Sequence, residues 1–533
     1  MKKQKIIFQY SVLLVIFFTC TAIGKPLVEK RLWQFHTLNM DYVLGVMKKA
    51  PDYGINTVVF SHDMIEQVTQ LYNTDDDGKL VLNQRAAQLR KLAQDAHDLG
   101  LMNYIWIHEI ENVPKKFLKE GKVQYDTDNF IKFLTNKYEK LFHDCPEFDG
   151  ILLTFHETKY KIFDNNQVDS KLSMSDRFAQ LVNTLDLVCA RNKKDLIVRT
   201  FLYEPIELAW IQEGLRKVDS RVMIQSKCVP HDWQPFYPHN PAIGVFPNHK
   251  QIIEFDGSSE FTGRNYIPYT CPEYFEYHWR YDLTQQGVSG YNIRLDHGGY
   301  DAFYTLNEIN IYAMYRLTED PDITSAKIWE EWTVKHYGKE AVPFIPNALK
   351  PSFECVNKAL FVQKYWYTKH SELPSFEYAN LTISRRSTAK WHPDKAKELK
   401  KIENLLNHPT PEYLEVILAE KDEAIALADE SILNLQLARP LLKYNQYSNL
   451  QYRLNLLKRV AIIWKLHAEA FWGYKTLQEG HDVPGLKERV HRCINGLKRQ
   501  AGVSPKKSHN ILISSENIKS VAEDLEERLN QLK

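Results

Sequence analysis

The sequence predicts an α/β fold: a parallel (β/α)8 TIM barrel followed by an all-helical C-terminal domain. Between Leu32 and about Gly338, short β-branched or aromatic runs alternate with longer amphipathic stretches. This alternation is typical of a parallel sheet covered by helices. After Gly338 the strand-like runs stop and long helical stretches follow. We therefore expect a barrel over residues 25–345 and a helical domain over residues 346–533.

Each barrel strand is predicted from one short apolar run, which is the composition of a strand buried on both faces. Catalytic groups of such a barrel lie at the C-terminal ends of its strands, so the residues that follow each run are candidates for a site. The predicted strands are Leu32–Phe35, Thr57–Phe60, Asn103–Ile107, Gly150–Phe155, Leu196–Phe201, Val222–Ser226, Ile252–Phe255 and Gly290–Arg294.

In the C-terminal region, apolar residues recur every three or four positions, which predicts helices. The predicted helices are Pro351–Tyr367, Asp394–Asn407, Pro411–Asn434, Gln446–Leu477 and Asn517–Leu532.

The N-terminus has the pattern of a secretory signal peptide. Lysines among the first residues precede an apolar run from Tyr10 to Phe18, which is too short to span a bilayer. An Ala-x-Gly cleavage site ends at Gly24, so the predicted signal peptide covers residues 1–24. Cys20 leaves lipoprotein anchoring as the alternative. We expect an exported protein, periplasmic or extracellular.

The overall charge gives no support to two classes of partner. Lys and Arg total 68 against 67 Asp and Glu, so no electrostatic argument favours nucleic acid or an anionic membrane. Beyond the predicted signal peptide, no run approaches twenty apolar residues, and we expect no membrane insertion. The six later cysteines are widely scattered, which favours isolated core thiols over a disulfide framework. Neither a metal-ligand spacing nor a phosphate loop is present, so we expect no cofactor and no metal.

Three carboxylates follow predicted strands. Glu157 ends the fourth strand, where aromatic walls are expected to disfavour its ionised form and to suit it for general acid catalysis. The alternative is a helix cap or an ion pair. Asp232 and Glu260 follow the sixth and seventh strands and should enter the same barrel mouth. Glycoside hydrolysis uses such a set of carboxyl groups, although other strand-end carboxylates compete for the roles.

Two cations point to an acidic sugar. Arg199 lies on the fifth strand and Lys227 ends the sixth. A buried cation needs an anionic partner, and arginine binds a carboxylate through two parallel hydrogen bonds. A uronic acid in an oligosaccharide or polysaccharide is therefore a natural ligand. The alternative is that both cations pair with the catalytic carboxylates themselves.

Further substrate contacts are predicted from residue type and position. Aromatic residues make up 12% of the chain, and sugar sites use such rings as stacking platforms. Trp106 and Trp233 are candidates for this role, with core packing as the alternative. Asp296 and His297 follow the eighth strand and are candidates to contact sugar hydroxyls.

Three segments resemble one family of glycosidases. The segment 227–233 resembles a K-x-x-P-x-D-F motif, and 251–263 resembles Q-x-L-E-F followed by Q-E-Y-T-G. The segment 310–322 resembles an N-x-Y-A-F-x-R-L-x-x-D-P helix. These are motifs of the family 67 glycoside hydrolases, the α-glucuronidases that remove (4-O-methyl)glucuronic acid from xylan fragments.

The resemblance implies an inverting mechanism with Glu157 as the general acid and Asp232 and Glu260 as candidate bases. It also implies that the strand of Arg199 carries a uronate-binding arginine. The sequence departs from the family at Thr154, which stands where a lysine is expected, and the family's N-terminal domain has no counterpart before the first strand.

Two other hypotheses remain open. One is a retaining hydrolase of another glycan, with Glu157 as acid/base and Glu260 as nucleophile. The other is a carbohydrate-binding barrel without catalytic activity.

Overall fold

The computed structural model describes residues 28–60, 68–297, 300–506 and 512–532. The predicted signal peptide, residues 1–24, lies outside the described residues. Within the described ranges, no helix is both long and apolar enough to cross a membrane.

Eight parallel strands close into a barrel in chain order, and all eight predicted strands are confirmed. Each strand pairs with the next along the chain, and the last pairs with the first through Lys30 and Gly290. Both faces of each strand are covered, and the buried runs combine apolar residues with polar side chains, among them Arg199, Gln225 and Glu254. The strands are β1 (Lys30–Phe35), β2 (Thr57–Phe60), β3 (Met102–His108), β4 (Gly150–Thr154), β5 (Asp195–Thr200), β6 (Met223–Lys227), β7 (Gln251–Asp256) and β8 (Val288–Arg294).

Helices surround the barrel, and several begin at a side chain that accepts a backbone N–H, as Asn83, Thr127 and Ser173 do. The helices are α1 (Met40–Met47), α2 (Gln84–Asp98), α3 (Asp128–Asp144), α4 (Met174–Arg191), α5 (Glu207–Leu215), α6 (Pro272–Leu283), α7 (Glu308–Glu319) and α8 (Ser325–Tyr337).

The connection between β6 and β7 differs from the others. Residues 228–250, all of them described, contain turns but no helix. Gln234 Nε2 donates to Thr388 Oγ1 (3.0 Å), and Tyr237 Oη donates to the Arg386 carbonyl (3.1 Å). The helical region therefore packs against this loop at the barrel mouth.

The C-terminal region is helical, as the sequence predicts. Three helices escape the sequence analysis, those that begin at Ile345, Phe376 and Leu486. The helices are α9 (Ile345–Leu349), α10 (Pro351–Leu360), α11 (Phe376–Arg385), α12 (Ala396–Asn407), α13 (Pro411–Ala438), α14 (Tyr444–Gln478), α15 (Leu486–Gly502) and α16 (Ser515–Gln531).

The helix predicted over Pro351–Tyr367 is wrong in its second half. It ends at Leu360, and Phe361–Val362 pairs antiparallel with Tyr365–Trp366. Aromatic and β-branched residues favour this hairpin over a helix. The hairpin turns the chain towards the barrel mouth.

The six cysteines of the described residues are buried and free, which confirms the prediction of isolated core thiols. Cys228, which follows β6, shows how strongly burial affects the pKa of these thiols. Burial raises the pKa of its thiol well above the ordinary value.

Asp282 on α6 is itself a buried carboxyl group without a partner. Its residue is wholly inaccessible to solvent, and among the described residues neither carboxyl oxygen finds a hydrogen bond. Burial raises the pKa of Asp282 well above its ordinary value. The folded state therefore binds a proton that the unfolded chain releases near pH 4, and stability falls as the pH rises above that point.

We expect Asp282→Asn to raise the melting temperature at pH 8 and to raise it less at pH 4, where the native carboxyl is already neutral. The gain should increase by up to about 1.4 kcal/mol for each pH unit between the unfolded-state and folded-state pKa values, because asparagine has no proton to gain. Thermal unfolding between pH 4 and pH 8 measures it, with Asp76→Asn at an exposed turn as the control. A difference in melting temperature that does not change with pH would contradict this account.

Candidate active site

Glu157 reaches the barrel mouth three residues after β4, as predicted. Its Oε2 accepts a hydrogen bond from Arg199 Nη1 (2.7 Å) and lies 3.9 Å from His108 Nε2 at the end of β3. Its side chain is 33% exposed, the largest value among the three predicted catalytic carboxylates. Glu157 is thus the carboxylate of this set most open to a ligand.

The environment of Glu157 is not the apolar one that the sequence suggests. Burial favours the neutral form, but His108, Arg199 and Lys227 outweigh it and hold the pKa of Glu157 well below its ordinary value. The expectation of a raised pKa is therefore wrong for the ligand-free state. The alternative that the cations pair with the catalytic carboxylates describes this state.

Arg199 on β5 lies at the centre of the site and is 2% exposed. Its Nε donates to Glu254 Oε2 (2.6 Å) and its Nη2 to Glu254 Oε1 (3.1 Å), which gives the bidentate geometry typical of arginine. Gln225 Nε2 also donates to Glu254 (3.0 Å). These contacts link β5, β6 and β7 inside the barrel, and Arg199 then extends to Glu157 above them.

Asp232 lies between two cations. Its Oδ1 accepts from Lys227 Nζ (3.1 Å) and its Oδ2 from Arg386 Nη1 (2.6 Å), with His231 Nε2 at 3.6 Å. Burial opposes ionisation, but the charges of Lys227, Arg386 and His231 lower the pKa of Asp232 to about 2. Its backbone has a φ of 47°, a left-handed conformation that costs an L-residue energy and is found at functional sites.

Glu260 occupies the other side of the mouth. Its Oε2 accepts from Arg294 Nη2 (2.6 Å), and its Oε1 lies 2.7 Å from His370 Nδ1 and 3.7 Å from His297 Nε2. Burial opposes ionisation, but His297, Arg294 and His370 hold the pKa of Glu260 well below its ordinary value. Arg294 also contacts Asp256 (3.1 Å), so this half of the site is fully ion-paired.

The structure corrects the predicted role of Trp106. The residue is 1% exposed, and its ring faces the Arg199 guanidinium at 5.2 Å. Its Nε1 donates to Thr154 Oγ1 (2.9 Å) within the barrel. A sugar cannot reach this ring, and Trp106 supports the site from beneath.

Trp233 and Asp296 also contact other residues of the protein. Lys227 and Arg294 lie over the Trp233 ring, at 4.5 and 5.3 Å from its centre, so the ring is a platform for cations and is 5% exposed. The two oxygens of Asp296 accept the backbone N–H groups of His36 (3.0 Å) and Thr37 (2.9 Å). The roles predicted for Trp233 and Asp296 as direct sugar contacts are therefore wrong. His297, 25% exposed in its side chain, lies at the mouth as predicted.

Five members of the site are missing from the sequence-based prediction: Glu254, Asp256, Arg294, Arg386 and His370. Glu254 and Arg294 lie on barrel strands, and the two-residue alternation of a strand carries the signal that they face inwards. Arg386 and His370 belong to the helical region, and no local pattern marks them.

The site combines four buried or partly buried cations with five carboxylates and holds them as interlinked ion pairs. Within the ranges that the structure describes, no group of three or more His, Cys, Asp or Glu residues is placed to hold a metal ion. The chemistry that these residues offer is proton transfer and binding of an anion.

Comparisons with known proteins bear on the fold. Neither a protein-family model nor a curated protein matches this chain. Among solved structures, a family 138 glycoside hydrolase that targets pectin rhamnogalacturonan II matches with a TM-score of 0.62 at 11% identity, covering 95% of this chain and 68% of that chain.

Two other glycoside hydrolases match less well. A family 115 4-O-methyl-α-glucuronidase with specificity for decorated arabinogalactans has a TM-score of 0.49 at 9% identity, covering 95% of this chain and 62% of that chain. The O-GlcNAc hydrolase of Thermobaculum terrenum has a TM-score of 0.47 at 9% identity, with coverage of 95% and 94%. Both TM-scores are too low to carry an argument. The match to the family 138 enzyme shows that this chain has a glycoside hydrolase-like (β/α)8 barrel followed by a helical region.

Proposed function

We propose that this chain is a glycoside hydrolase that releases a uronic acid from an acidic oligosaccharide. The observation that carries the proposal is the placement of Lys227 and Arg386 on the single carboxylate of Asp232, beside the accessible Glu157. Asp232 thus shares its charge between two cations, although the five carboxylates of the whole site outnumber its four cations. The resemblance to family 67 and the pectin substrate of the family 138 enzyme support the same class of substrate.

Arg386 defines where the uronate binds. It uses Nη1 for Asp232, and its guanidinium lies over the Trp366 ring at 4.1 Å. Arginine presents a planar set of donors, and a sugar carboxylate takes two of them in parallel. A neutral sugar would form no such charged pair and would bind less well.

Glu157 is the general acid of the proposed reaction. Arg199 and His108 keep it ionised in the free protein, so a proton must be gained when substrate binds. A uronate beside Lys227 adds a negative charge to the same mouth. At an effective dielectric constant of about 20, a charge about 6 Å away changes a pKa by about 2. The anionic substrate thus favours protonation of the acid that cleaves it.

Asp232 and Glu260 remain the candidates for the base that activates water. In an inverting hydrolase, the acid and the base stand about 6.5–9.5 Å apart, which leaves room for that water. We propose the inverting course. Nuclear magnetic resonance of the first-formed sugar tests it: inversion gives the opposite anomer of the bond cleaved, and retention gives the same one.

The first experiment is uronic acid release from a panel of acidic oligosaccharides that includes glucuronoxylan and pectin fragments. Release of a terminal uronic acid by the wild type supports the proposal. Release of neutral sugars alone would contradict the uronate assignment, and an absence of any release from the panel would contradict the hydrolase assignment. The predicted signal peptide, residues 1–24, leads us to propose that this activity is exported, to the periplasm or beyond.

We expect Glu157→Gln to lower turnover of an oligosaccharide by about 10²- to 10⁴-fold, since the leaving oxygen no longer receives a proton. A 4-nitrophenyl uronide, whose leaving group needs no proton, should lose much less. Comparative kinetics on the two substrates measures the difference. The matched control is Glu204→Gln, a carboxylate that follows β5 and pairs with Lys390 at the surface. Equal loss on both substrates would show that Glu157 is not the acid.

We expect Arg386→Met to raise KM for a uronide by about 10- to 100-fold, with a smaller change in kcat, because the lost cation serves binding of the substrate carboxylate. The control is Arg385→Met, the exposed last residue of α11, which directly precedes Arg386. Circular dichroism melting confirms that both variants are folded. If the two variants have the same KM, Arg386 does not hold the uronate.

A further inference from the structure

The helical region places a strained two-residue segment against the loop that carries Glu260. His370 and Ser371 have φ values of 47° and 68°, both left-handed. An L-residue rarely adopts this conformation, which is tolerated where the surrounding structure fixes the backbone. Here the two residues form the turn between Lys369 and Glu372, whose backbones are hydrogen-bonded to each other.

Ser371 fastens this segment to the barrel. Its Oγ donates to the carbonyl oxygen of Glu260 (2.9 Å) and accepts the N–H of Gly263 (2.9 Å). One residue further on, Glu372 accepts a hydrogen bond from Arg264 Nη1 (2.8 Å). The segment and the loop after β7 therefore form one bonded unit.

His370 contacts Glu260 directly. Its Nδ1 lies 2.7 Å from Glu260 Oε1, and the other carboxylate oxygen is taken by Arg294. Burial works against ionisation of Glu260, but the cations around it keep its pKa low, so the carboxylate can only accept. When the ring is neutral, Nδ1 therefore carries the proton and donates it, which leaves the lone pair on Nε2.

The ring of His370 is fixed on its faces and open at its edge. It stacks on Phe261, with ring centres 5.1 Å apart, and lies parallel to His297 at 6.2 Å. The side chain is 37% exposed, and among the described residues no hydrogen bond reaches Nε2. The charged and titratable groups around the ring are Glu260 and Arg264 after β7, His297 after β8, and Glu372 and Arg386 of the helical region.

We propose that His370 is a catalytic residue of this site: its Nε2 accepts the proton of the attacking water, and Glu260 is its positioning partner. The proposal rests on the proposed glycosidase function and assigns the base side of that reaction. A histidine whose Nδ1–H is bonded to a carboxylate has a fixed tautomer and a stabilised imidazolium, which is the arrangement that general bases use in several enzyme classes.

The proton balance is complete with the residues of the site. As the water oxygen bonds to the anomeric carbon, its proton moves to Nε2, and the bond from that carbon to the leaving oxygen breaks. The leaving oxygen takes the proton of Glu157. The site then holds an imidazolium and a carboxylate, and proton exchange with solvent restores both. No oxidant, reductant or co-reactant other than water takes part.

His370→Gly tests the role of His370 as the base, and the variant should still fold. Glycine adopts a left-handed backbone freely, so this variant removes the imidazole and relieves strain. We expect kcat on a uronide to fall by about 10²- to 10⁴-fold while KM stays nearly constant. The acid limb of the pH–rate profile, which reports protonation of the base, should disappear, and added imidazole should restore part of the rate.

Lys364→Gly is the matched control, since Lys364 also has a left-handed backbone, with a φ of 68°, and is exposed. It should keep wild-type kcat and the acid limb. A His370→Gly variant that does the same overturns the role of His370 and leaves the glycosidase standing. A wild type inactive on every glycan of the panel overturns the proposed function, and the role of His370 with it.

A second readout does not need turnover. Proton–nitrogen correlation spectra should show His370 with the proton on Nδ1 in the wild type, and Glu260→Gln should weaken that preference. A wild-type imidazole protonated only on Nε2 at neutral pH would overturn the proposal whatever the activity, because no lone pair would face the mouth.

Discussion

A buried arginine at the centre of the barrel mouth determines how the rest of the site is arranged. Arg199 is almost inaccessible and always charged, so it needs anionic partners. Glu254 accepts two hydrogen bonds from the guanidinium, and Glu157 accepts a third. Removing one partner of such a buried pair costs about 3–5 kcal/mol, because the remaining charge is left uncompensated. β5 and β7, which are not neighbours, are therefore joined by charge as well as through the strand between them.

The same ion pairs determine what chemistry the mouth can perform. Each of the three candidate catalytic carboxylates faces at least one cation, and each has a lowered pKa. All of them are ionised in the ligand-free protein at neutral pH, so a general acid must form when substrate binds. An anionic sugar offsets the cations as it binds, whereas a neutral sugar brings no charge that can do so. Charges that hold the barrel together thus also favour one class of substrate.

Local patterns account for what the sequence predicts and for what it misses. A strand buried on both faces has an apolar run that can be recognised without knowing its neighbours, and the residue that follows it is placed by the same run. Trp106 and Tyr104 both face inwards on β3, as residues two positions apart in a strand do. This alternation predicts the burial of Trp106 better than its aromatic character does. His370 and Arg386 lie 110 and 154 positions from the carboxylates they contact, and only the tertiary fold brings them there.

The helical region is consequently part of the site. Without it, Asp232 would keep only Lys227 as its close fixed cation, and Glu260 would lose the ring that contacts one of its oxygens. The loop from β6 to β7 has no helix, so the barrel alone would also leave one side open. Hydrogen bonds from Thr270 to the Leu349 carbonyl (2.9 Å) and to Ser352 connect the barrel to the helical region. Since Arg386 and His370 contact Asp232 and Glu260 only when both parts are present, separating the parts would change the ionisation of these two carboxylates.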